Sequence, residues 1–104
     1  MRTIIRDRYG SASAPIRREI ERGLAHLGRH LDLLVEAEVE FNQEARRSEK
    51  PIHVVEVTMR GTAPHLPSIR VTESGRDLAQ VVDRVLETLD RGILKLKEQL
   101  KSHP

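Results

Sequence analysis

The sequence predicts an α+β fold of two layers: a four-stranded sheet with both helices on one face, in the order β-α-β-β-β-α. Three observations predict it. One stretch near each end repeats apolar residues at helical spacing. Between them lie segments in which apolar and polar residues alternate, the period of a strand with one buried face. The N-terminal "MRTIIRDRY" is short and β-prone, and "GSASAP" cuts it off.

That N-terminal stretch is the first strand. Ser11 or Ser13 then caps a helix, and Pro15 fits its first turn, where the missing N–H removes no hydrogen bond. Ile16, Ile20, Leu24, Leu27 and Leu31 form its single apolar stripe. Gly23 and Gly28, inside the helix, each weaken it by about 1 kcal/mol relative to Ala. In "LLVEAEVEF", Val35, Ala37, Val39 and Phe41 are expected on the core side, with Glu36, Glu38 and Glu40 on the other. "NQEARRSEKP" is expected as a polar loop. "IHVVEVTMR" is the next strand, with Val55, Val57 and Met59 inward and Glu56 outward. "GTAPHLP" turns the chain into "SIRVTE", a short strand with Ile69 and Val71 inward. Pro64 and Pro67 give it an irregular or edge start. "SGRD" fits a capping box, with Ser74 as the cap and Asp77 three residues on. The closing helix is expected over 77–101, burying Leu78, Val82, Val85, Leu89, Ile93, Leu96 and Leu100. There is no internal repeat and no low-complexity segment.

A chain of 104 residues fits one domain with a modest core. Tyr9 and Phe41 are its only aromatics, so aliphatic side chains must build that core. The absence of cysteine excludes a disulfide scaffold, a thiol nucleophile and a cysteine zinc site. No apolar run approaches a membrane span, and the first ten residues hold no signal-peptide apolar region. The expectation is a soluble cytoplasmic protein with no membrane partner.

Charged residues make up 33% of the chain, yet the net charge is only +2. Their distribution therefore matters more than their sum. On the first helix Arg18, Arg22 and Arg29 fall within about 40° of one another, opposite the apolar stripe and beside His26. On the last helix Arg84, Arg91 and Lys95 cluster as tightly, flanked by Thr88, while Asp83 and Asp90 lie on another edge. The outer sheet face gathers Glu36, Glu38, Glu40 and Glu56, partly relieved by Arg60 and Arg70. Cations on the helical side and carboxylates on the sheet side would suit a protein that lays its helices on a polyanion. With so few aromatics for base stacking, any RNA contact should go to phosphate and sugar, reading shape rather than sequence.

Three stretches carry a family resemblance: "APIRREIERGLAHLGRHLD", "VEAEVEFNQEARRSEKPIHVVEVTMR" and "ESGRDLAQVVDRVLETLDRGILKLKEQLK". Together they resemble the first helix, the paired strands and the last helix of the ribosome hibernation-promoting factors, also called the protein Y or sigma-54 modulation family. The resemblance covers nearly the whole chain. It implies a fold similar to that of double-stranded RNA-binding domains and a single ribosome-binding domain over 1–104. The C-terminal dimerisation domain of longer members is not in this sequence. It implies binding to rRNA of the small ribosomal subunit, in the groove for mRNA and tRNAs, as a translation inhibitor and most simply as a monomer. Arg91 and Lys95 match the Arg and Lys of the family's Leu-Glu-Arg-Gln-Leu-x-Lys stretch, and Arg17 and Arg22 match basic positions of its first helix. The expected RNA-binding set is Arg17, Arg18, Arg22, Arg29, Arg84, Arg91 and Lys95. The chain departs from the family at Ala79 (usually Tyr), at Thr88, Gly23 and His26 (often Lys) and at Gly92 (Gln). Arg18, Arg29 and the loop cations Arg46 and Arg47 are the candidates to compensate.

Other chemistries have less support. His26 and His30 are four apart, a spacing that can grip zinc, but "HLGRH" lacks the glutamate of HExxH, so no metal site is expected. His53 reads as a histidine at the core edge or a strand end. No nucleophile, base and orienting group stand out, so neither an enzyme nor a cofactor or small-molecule substrate is expected. Two alternatives remain: a general double-stranded RNA-binding module, or a protein-interaction domain using the acidic sheet face.

Overall fold

The computed structural model describes residues 1–44, 50–62 and 68–101. Along the chain come β1 (Arg2–Asp7), α1 (Ala14–His30), β2 (Leu34–Glu44), β3 (Ile52–Gly61), β4 (Ile69–Gly75) and α2 (Leu78–Lys101). This is the α+β order that the sequence predicts. The sheet runs β1-β2-β3-β4, so each strand lies beside its successor. β1 and β2 pair in parallel, and α1 makes the crossover that a parallel pair requires. The other two pairs are antiparallel. Register places Ile5, Val39, Val57 and Val71 in one row across the sheet, on the face the helices cover.

The core lies between that face and the helices. α1 contributes Ile20, Leu24 and Leu27, and α2 contributes Val81, Val82, Val85, Leu89, Ile93 and Leu96. Ala37, Val39 and Phe41 of β2 and Val55, Val57 and Met59 of β3 meet them, all at most 1% exposed. α1 packs beside α2 through Gly23, where a Cβ would stand 2.7 Å from Leu86 Cδ1. Gly23, a helix weakener by propensity, admits the neighbouring leucine.

Four local expectations are corrected. Val35 is exposed, not inward, because the β2–β3 register shifts between Leu34 and Glu36 and turns Leu34 into the core instead. Asn42, Gln43 and Glu44 continue β2 opposite Val54, His53 and Ile52, so the strand outruns its alternating apolar stretch. Ser74 does not cap α2: it lies in β4, and Asp77 is the cap, its carboxylate accepting from the amides of Ala79 (3.1 Å) and Gln80 (3.5 Å). Leu100 is exposed, and the closing stripe instead includes Val81. Ser13, one of the two serines offered, caps α1. Arg46, Arg47, Pro64 and Pro67 lie outside the described residues. Among the described residues no helix is long and apolar enough to cross a membrane.

Candidate nucleic-acid interface

Arg18, Arg22 and Arg29 are exposed on α1, and Arg84, Arg91 and Lys95 are exposed on α2. The fold does not merge these two stripes. The side of α1 that faces α2 runs through Glu19 and Gly23, since Glu19 meets Asp83 and Gly23 meets Leu86. The opposite flank of α2 faces β4: Arg84 donates to the Ser74 carbonyl (2.6 Å) and approaches Glu73 (4.0 Å), and Gly92 sits against Ile69. Arg91 and Lys95 share the Arg84 flank by helical phase. The α1 cations therefore point away from the sheet, while the α2 cations lie toward its β4 side. Between them runs an acidic seam. The hydrogen bond with Asp83, then burial and the Asp83 charge, raise the pKa of Glu19, against the pull of Arg22.

The cations differ in their engagements. Arg17 turns to the corner where β1 enters α1, donating to Asp7 (3.4 Å) and to the Ala12 carbonyl (3.4 Å). The Asp7 side chain is 1% exposed and also accepts from the amides of Ala12 (2.9 Å) and Ser11 (3.0 Å). Burial alone would push its pKa up, but those two amides and Arg17 outweigh it and hold the carboxyl below the usual value. Arg84 and Arg17 thus brace the fold. Each keeps nearly half its side chain exposed and, with five guanidinium donors, retains N–H groups for a ligand. Arg91 donates to Thr88 Oγ1 (3.3 Å), and that hydroxyl lies 3.5 Å from Glu73. Among the described residues, Arg18, Arg22, Arg29, Arg91 and Lys95 form no salt bridge to a carboxylate.

The outer sheet face is different. Arg60 bridges Glu36 (3.2 Å) and Glu38 (3.1 Å), Arg6 holds Glu38 (3.1 Å), and Arg70 approaches Glu56 (3.9 Å). Arg2 stands opposite Glu36 in the register. The carboxylates are where the alternation puts them, but arginines interleave with them. Sequence reasoning missed Arg6 because it sits on another strand, and only the β1–β2 register, which sets it opposite Glu40, brings it within diagonal reach of Glu38. It also missed Glu73, which alternation from Ile69 and Val71 places on the helical side.

A two-layer α+β domain with unpaired cations on its helices and a charge-paired outer sheet is the class this geometry defines. The model of the family described as Sigma 54 modulation protein / S30EA ribosomal protein matches residues 3–101, and the chain belongs to that family. Among solved structures, the chain is similar to a ribosomal subunit interface protein from Coxiella burnetii, with a TM-score of 0.75 and 17% identity over 94% of this chain and 99% of that one. It is also similar to the N-terminal domain of Protein Y from Thermus thermophilus, with a TM-score of 0.67 and 24% identity over 89% of this chain and 96% of that one. Among curated proteins no sequence matches.

Proposed function

We propose that this protein is a cytoplasmic ribosome hibernation factor that binds rRNA of the small subunit, in the groove used by mRNA and tRNAs, and blocks translation while bound. Family membership supports the ribosome as partner. The observation that carries the mode of binding is the division of the cations: Arg6, Arg60 and Arg70 on the sheet face are matched to glutamates, while Arg18, Arg22, Arg29, Arg91 and Lys95 are left for phosphates. Arg17 and Arg84 add their remaining N–H groups and fix the ends of the surface. Two separated cationic stripes suit a groove with rRNA on more than one side better than a single flat duplex. The interleaved sheet face gives little support to an acidic protein-docking surface.

The test is sucrose-gradient cosedimentation with small subunits and whole ribosomes at low and moderate salt. The wild type should comigrate at low salt, be competed by tRNA, and weaken as salt rises. Arg91→Glu with Lys95→Glu should release it while its circular dichroism stays unchanged. A folded double variant that comigrates like the wild type would overturn the mechanism. Equal affinity for free duplex RNA would favour a general RNA-binding module instead.

A further inference from the structure

His26 and His30 meet through their Nε2 atoms at 3.3 Å, with ring centroids 4.9 Å apart and planes at 82°. From this geometry we infer that the pair is a chelating site for a divalent transition-metal ion of the zinc and copper class. Two imidazole nitrogens each ~2.05 Å from a tetrahedral ion lie ~3.3 Å apart. The pair holds that separation, so taking up an ion needs little change in the Nε2–Nε2 distance, only a turn of the rings that aims both lone pairs at it. In the tautomer that closes this contact, one Nε2–H donates to the other Nε2. On metal binding that ring moves its proton to Nδ1 through solvent, and both Nε2 lone pairs are then free to coordinate.

Glu19, Gly23, His26 and His30 form one row on α1, spaced by four, three and four. Gly23 packs on Leu86 and Glu19 meets Asp83, so this side of α1 looks toward α2, with the Glu19–Asp83 contact about 10 Å along the helix from His26. Arg22 and Arg29 are neighbours of His26 on the helix surface, about 40° and 60° round from it, and Arg18 lies about 80° round. No third His, Cys, Asp or Glu joins the pair among the described residues. The protein therefore supplies two ligands and leaves the other positions to water. Imidazole donors and an incomplete ligand set suit Cu2+ and Zn2+ and not Mg2+ or Ca2+, which take oxygen ligands.

The test needs no ribosome, so its failure would leave the ribosome reading untouched. Untagged protein is titrated calorimetrically with ZnCl2 and, separately, CuCl2, alongside His26→Gln, His30→Gln and the double variant. Both histidines are exposed, so the variants should keep the wild-type circular dichroism. The expected result is one ion per chain, bound more tightly as Cu2+ than as Zn2+. Either single substitution should lower affinity at least ~10-fold, because the second ligation is intramolecular. The double variant should be little worse than either single one. Zn2+ should also raise the melting temperature of the wild type and leave that of the double variant unchanged. Wild type and double variant titrating alike, or single variants within about twofold of wild type, would overturn the site.

Discussion

Asp7 shows how one side chain can hold a corner. Its buried carboxylate ties Ser11, Ala12 and Arg17 together, and so fixes where α1 starts relative to β1. Asp7→Asn keeps the shape but sets an amide NH2 group against those donors, and should cost about 2–3 kcal/mol in chemical denaturation. Because the folded-state pKa lies below the ordinary 3.8, the carboxylate's contribution is complete above pH 3.8 and fades as pH falls below it toward the folded value. The acid limb of the stability curve should therefore be shallower in Asp7→Asn than in the wild type. Nothing in "RDRYGS" distinguishes Asp7 from a solvated aspartate. Only the turn at Gly10, whose φ is +63°, brings the Ser11 and Ala12 amides back to it.

At the scale of elements, the two helix starts separate what sequence resolves from what it does not. "SGRD" reads as a capping box begun by Ser74, yet an aspartate such as Asp77 can cap a helix as well. β3 decides, because it pairs with Ser74 and Gly75 and draws them into β4. Asp77→Ala should therefore cost about 1 kcal/mol by thermal melting, while Ser74→Ala, which leaves its carbonyl for Arg84, should fall within about 0.5 kcal/mol of wild type. The strands and both apolar stripes were legible because 2.0 and 3.6 periodicities are local. The inward turn of Leu34 and exposure of Val35 were not, since a register shift belongs to the pairing of two strands. Gly23 lies between these cases. Its composition signal was a helix penalty, while its contact with Leu86 emerges only when the helices meet. Gly23→Val should destabilise by about 2 kcal/mol through overpacking, and Leu86→Ala in the same chain should recover part of that loss.

For the whole molecule, a net charge of +2 conceals two unlike surfaces. Helical phase alone groups Arg18, Arg22 and Arg29 in one stripe and Arg84, Arg91 and Lys95 in another, and the family resemblance adds Arg17, but the separation of the stripes by Glu19 and Asp83 depends on how α1 and α2 pack. The sheet face carries its charges as partly exposed pairs, so each contributes little to stability. Arg60→Ala, which frees Glu36 and Glu38, should cost only about 0.5–1 kcal/mol in a denaturant melt. The helical surface should dominate the salt response of ribosome binding. Removing both Arg91 and Lys95 charges by alanine substitution should make the logarithmic salt dependence of affinity shallower by about 1.5–2, while Arg60→Ala should leave the slope unchanged.

The strand order carries a further consequence. Among the described residues, a sheet that runs β1-β2-β3-β4 leaves the outer backbone of β1 and of β4 without a strand partner. Such margins are templates on which a second copy could extend the sheet, and repetition of that step builds fibrils. Here Arg2 and Arg6 stand on one margin and Arg70 on the other, all exposed. Two copies meeting margin to margin bring guanidinium groups together in any of the three combinations. The same arginines that pair with glutamates within one molecule thus place charge on both margins, a feature that disfavours edge-to-edge pairing of copies.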